Sequence, residues 1–113
     1  MNKILSILII SAILASCEKT IEIKYKDNQS KIIIEGNISN EPGPYFVKIS
    51  KSISISSTET APTINDAIVM ISDDAGNNET LIPQGNGLYK TNKITGTQGR
   101  TYTLTVKAEN ETY

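Results

Sequence analysis

From Lys31 to Glu109 the apolar residues recur at every second position, not every third or fourth. A period of two places alternate side chains on opposite faces of an extended strand, whereas a helix would need a period near 3.6. In "KIIIEGNIS" one parity holds Ile32, Ile34 and Ile38, and the other holds Glu35, Asn37 and Ser39. In "YFVKISKSISIS" Tyr45, Val47, Ile49, Ile53 and Ile55 share a face opposite Lys48, Ser50, Ser52 and Ser54, and only Lys51 breaks the parity. In "TYTLTVKAE" Tyr102, Leu104, Val106 and Ala108 point inward, with threonines, Lys107 and Glu109 outward. "DAIVMIS" is apolar on both parities, which predicts a strand covered on both faces.

Turn chemistry separates these runs. Asn40, Pro42, Gly43 and Pro44 cluster before Tyr45, and "SSTETAPT" reads as a loop. "DDAGNN" and "QGNG" read as tight turns, with "ETLIP" as a short strand closed by Pro83 and "LYKT" as another. Gly96 and Gly99 bracket a further loop. Six to seven short strands with no helix-period segment after Cys17 predict an all-β antiparallel sandwich over residues 31–113. With no Trp and one Phe, its core has to be built from Ile, Val, Leu and Tyr.

The first residues obey a different pattern. Met1-Asn2-Lys3 carries one positive charge, Ile4 to Leu14 is apolar except for two serines, and Ala15 and Ser16 precede the single cysteine, Cys17. A charged start, a short apolar run and small residues are the marks of a secretory leader, and this run is too short to span a bilayer as a helix. "Leu14-Ala15-Ser16-Cys17" resembles the bacterial lipobox, in which cleavage falls between the small residue and the cysteine. The expectation is a lipoprotein signal peptide at 1–16, cleavage between Ser16 and Cys17, and lipid on the Cys17 sulfur. A single short acyl chain binds a membrane only marginally, so the two or three chains of such an anchor are what make it stable. Residues 17–30 read as the lipidated cysteine and a tether or edge strand, because Ile21, Ile23 and Tyr25 alternate with charged residues.

Composition narrows the activities. Eleven basic residues stand against twelve acidic ones without a Lys/Arg cluster, which argues against a nucleic-acid surface. There is no histidine, which removes Ser-His-Asp and Cys-His arrangements and the common zinc sets. "Asp73-Asp74-Ala75-Gly76-Asn77-Asn78" has oxygen ligands but not the spacing of a calcium loop, and reads as a turn. Asn28, Asn37, Asn78 and Asn110 each open an Asn-x-Ser/Thr triplet, taken here as composition rather than as glycan sites. Tyr45, Phe46, Tyr89 and Tyr102 read as core or edge packing, with Tyr45, next to Pro44, the best candidate for a ligand platform. No catalytic, metal, cofactor or small-molecule site is identifiable, and the expectation is a protein that is not an enzyme.

In order, the lipobox, "KIIIEGNISNEPGPYFVKIS", "INDAIVMISDDAGN", "GNGLYK" and "GTQGRTYTLTV" resemble the N-terminal part of Bacteroidota outer-membrane lipoproteins of domain-of-unknown-function family 4249. The resemblance implies an Ig-like or transthyretin-like sandwich. It also implies a lipid-anchored accessory or binding module of the outer membrane, associated with a TonB-dependent transporter in nutrient uptake. It carries no catalytic residues. Relatives are longer, so a truncated chain is expected at Tyr113. "Glu18-Lys19" partly matches an acidic surface-export signal, which favours the cell surface over the periplasmic face. The alternative is a structural or adhesive, fimbrial-type subunit. Arg100 is the only arginine, which argues against maturation by cleavage after an arginine in a first strand.

Cys17→Ala is expected to abolish palmitate labelling and to release the protein from the membrane fraction. Normal labelling of that variant would contradict the lipobox assignment.

Overall fold

The computed structural model describes Lys3 and residues 29–54 and 57–113. The leader apart from Lys3, Cys17, the alternating stretch Ile21–Tyr25 and Ile55 therefore lie outside the described residues. Among the described residues no helix is long and apolar enough to cross a membrane.

The described residues form eight strands in two antiparallel sheets of four. They are β1 Ile32–Gly36, β2 Phe46–Lys51, β3 Ile68–Asp73, β4 Asn78–Thr80, β5 Ile82–Gly85, β6 Leu88–Lys90, β7 Tyr102–Ala108 and β8 Glu111–Thr112. One sheet has the order β1-β2-β6-β5 and the other β4-β3-β7-β8. The expected all-β sandwich is what the chain forms. Its core is one layer between the sheets: Val47 and Ile49 on β2 and Tyr89 on β6, against Val69 and Ile71 on β3 and Val106 and Ala108 on β7. Ile49 and Val69 are fully buried. The alternation in β2 and β7 reads directly onto this layer, and Ile32, Ile34, Tyr102 and Leu104 pack at its margin.

Four readings of the sequence change. β3 lies between β4 and β7 in its sheet, yet only one of its faces is covered. Ile68 is 53% and Met70 36% exposed, because among the described residues no further layer packs on that side. "ETLIP" is two strands in different sheets rather than one. The chain crosses at Leu81, whose side chain is buried and whose N–H donates to the Val69 carbonyl at 2.8 Å, and Pro83 falls on the edge strand β5. An edge strand tolerates proline because the missing N–H removes no ladder bond. "ENET" adds a strand through a turn at Glu109 and Asn110, both at positive φ. Finally, the parity of the 45–55 run does not by itself set exposure. β2 ends at Lys51, Ser50 is buried where Thr63 bridges to it, and Ile53 is 41% exposed.

The 62–64 segment continues the sheet beside the end of β2, with Lys51 N donating to Pro62 O at 2.8 Å and Ile64 N to Ile49 O at 3.0 Å. Tyr89 fixes it from below: its hydroxyl donates to Ile64 O at 2.9 Å and accepts from Ala67 N at 3.0 Å. Gly87 closes the β5–β6 turn at φ 71°, and a Cβ there would stand 2.2 Å from the Ile49 carbonyl oxygen. Only glycine allows that approach.

The outer face of the first sheet is mixed. Phe46, Lys90 and Ile82 are register partners across β2, β6 and β5, and Ile33 on β1 pairs with Ser50, four residues along β2 from Phe46. Phe46, Ile82 and Ile33 are 43%, 46% and 40% exposed.

Ile49→Ala should cost about 2–5 kcal/mol by cavity formation, whereas Ile68→Ala should fall within about 0.5 kcal/mol of the parent. Denaturant melts of the two variants check this. Equal losses would contradict the one-layer core.

Candidate functional site

Sheets bury their inner faces, so the groups free to meet a ligand gather where the chain turns. One end of the sandwich collects the 37–45 connection, the β3–β4 turn and the 91–101 crossover between the sheets. Three open clefts border the crossover there. The largest is about 510 Å³ and lies between the turn and the crossover, with Asp73, Asn77, Glu79, Lys93, Thr95 and Arg100 among its lining residues.

The turn is built by Asp73. Its Oδ1 accepts the N–H of Ala75 at 3.0 Å and of Asn77 at 2.9 Å, and its Oδ2 accepts the Asn77 side-chain amide at 2.7 Å. Gly76 takes φ 90°, a conformation that glycine adopts without strain. This is the turn the sequence predicts, with its carboxylate closed into the loop. The Asn77 side-chain amide, ahead of opposing burial, and the two N–H groups hold the Asp73 carboxyl below its ordinary value. Arg100 adds a weaker pull from Nη1, 3.5 Å from Oδ2.

Glu79 does the same for the crossover. It occupies β4 opposite Ile71, on the inward parity at the rim. Its carboxylate accepts N–H groups from Asn92, from Lys93 at 3.0 and 3.1 Å and from Ile94 at 2.8 Å. Burial raises its pKa, but the amides of Ile94, Asn92 and Lys93 together outweigh burial and lower it. No local signal in "ETLIP" marks this role, because the partners lie 13–15 residues further on.

Tyrosines hold the rest of this end. Tyr45, the sequence's best ligand platform, is buried, and its hydroxyl is already engaged. It donates to the carbonyls of Ser39, at 2.7 Å, and Glu41, and accepts from Gly96 N at 3.2 Å. A Cβ on Gly96 would lie 1.9 Å from Ser39 O, so the two loops touch backbone to backbone. Tyr102, at the start of β7, donates to Thr95 O at 3.2 Å and accepts from Thr97 N at 2.7 Å. A tyrosine that opens a strand and bonds back to the preceding corner is the tyrosine-corner arrangement of β-sandwiches. Phe46, by contrast, points outward.

This end presents fixed donors and hydroxyls to solvent. Among the described residues, no group of three or more His, Cys, Asp and Glu is placed to hold a metal. Cys17 and Ser16, the lipidation and cleavage residues expected from sequence, lie outside the described residues.

The family model "Domain of unknown function (DUF4249)" matches residues 18–113, and the chain belongs to that family. No curated protein and no solved structure matches the chain.

Both carboxyls sit below their unfolded-chain values of about 3.9 and 4.3. The stability each contributes is therefore complete above those values and is lost as pH falls through the lower folded ones. The melting temperature should drop below about pH 4, and Glu79→Gln should flatten that acid limb while lowering the neutral-pH value. An unchanged acid limb in Glu79→Gln would contradict the role given to this carboxylate.

Proposed function

We propose that the protein is a lipid-anchored accessory or binding module of a bacterial outer membrane, held by Cys17 and working beside a TonB-dependent transporter in nutrient uptake. The leader and the "Leu14-Ala15-Ser16-Cys17" motif support the anchor. Family membership is consistent with the reading but carries no activity. The cell surface is the favoured side, on the strength of Glu18 after the cysteine.

The structural observation that favours a protein partner is the outer face of the first sheet. Phe46, Ile82 and Ile33 stand exposed on one flat surface, with Lys48 and Lys90 among them. Scattered single apolar residues need no partner, but Phe46 and Ile82 flanking Lys90 on one sheet face, with Ile33 further along it, suit an interface with a polar rim. The carboxylates and tyrosine hydroxyls of the loop end are bonded to backbone groups, which favours binding over catalysis.

Tagged full-length protein, pulled from detergent-solubilised outer membranes, should bring down one large β-barrel transporter. The double variant Phe46→Ser, Ile82→Ser should lose that partner while keeping its melting temperature. Recovery of a ladder of its own multimers would instead support a structural, fimbrial-type subunit. Equal recovery by the double variant would remove this face from the interface.

A further inference from the structure

The acids and bases around the largest cleft are used unequally. Asp73 has spent both oxygens on its own turn, and Glu79 has spent both on the amides of residues 92–94. The cations have not been satisfied in return. Arg100 reaches Asp73 only at 3.5 Å through one of its nitrogens and its side chain is 35% exposed, which leaves most of its five donors without an acceptor among the described residues. Lys93 acts on Glu79 electrostatically, yet among the described residues it has no carboxylate within 4 Å. Both residues line the same open cleft as Thr95, Thr97, Asn77 and Asn78.

We infer that this cleft is an oxyanion site. Arg100 supplies a planar fork suited to a carboxylate or phosphate, Lys93 a second positive charge, and the hydroxyls and amides bond the polar atoms beside the anion. Both acids stay charged, but their oxygens are capped by N–H donors whose dipoles offset part of their field, and Arg100 and Lys93 balance their two charges. The crossover that carries both cations is held at Glu79 and Tyr102, so little ordering is needed on binding. This site is separate from the outer sheet face and depends on neither the anchor nor the transporter.

The test is a titration of the full-length protein in detergent, followed by amide chemical shifts. The probes are galacturonate, inorganic phosphate and, as an uncharged control, galactose. Saturable shifts confined to Asn77, Asn78 and residues 93–100 with an anionic probe, and absent with galactose, are the expected result. Stronger binding of galacturonate than of phosphate assigns a carboxylate ligand, and the reverse a phosphate one. Arg100→Gln should weaken binding on the order of tenfold, and Lys93→Gln by less. Lys93→Gln leaves the Arg100–Asp73 contact intact, so it reads the site even if Arg100→Gln perturbs the turn. Equal shifts with galactose, no saturable shift with either anion, or undiminished binding in both variants would overturn the assignment.

Discussion

Burial of one layer of side chains between two sheets is the interaction on which the rest of this molecule depends. Ile49, Val69, Tyr89 and Val106 are almost completely removed from water, and they come from four different strands. Each strand gives this layer only its alternate residues, so no strand is stable by itself. The chain must keep crossing between sheets to assemble the layer. Leu81 shows how tightly that is done, with β4 and β5 separated by this single buried residue.

The crossings create the second level of organisation. A connection at the end of a sandwich has backbone groups to satisfy and little apolar surface to bury. Here side chains answer that need: Asp73 for the β3–β4 turn, Glu79 and Tyr102 for the crossover, Tyr45 for its contact with the 37–45 connection. A carboxylate that accepts several N–H groups is favoured in its charged form, and these amides do more than Arg100 or Lys93 to hold the two acids ionised. The outcome is an end whose loops are fixed by internal bonds and whose cations, Lys93 and Arg100, face the cleft. Rigid loops on a sandwich are a common way to make a binding surface, since little entropy is lost when a ligand arrives.

The alternation in β2 and β7 and the turn residues made the sandwich legible, because period and turn chemistry are local properties. Three things were not local. Ile68 and Met70 are apolar on a face that none of the described residues covers, so composition alone does not distinguish a strand central in its sheet from one buried on both sides. "ETLIP" looks like one strand because the change of sheet at Leu81 depends on packing with Val69. Glu79 carries no motif, since its partners are backbone amides brought near only by the fold. Tyr45 is buried, as its place on the apolar parity predicts. Its hydroxyl serves the protein itself and not a ligand.

The central claim is that Glu79 holds the crossover in place. Amide hydrogen exchange at Asn92, Lys93 and Ile94 reads it most directly, in the parent and in Glu79→Gln. The account predicts protected amides in the parent, with exchange accelerated in the variant at these three positions while Val69 and Val106 stay slow. Fast exchange at residues 92–94 in the parent, or no change in the variant, would contradict it.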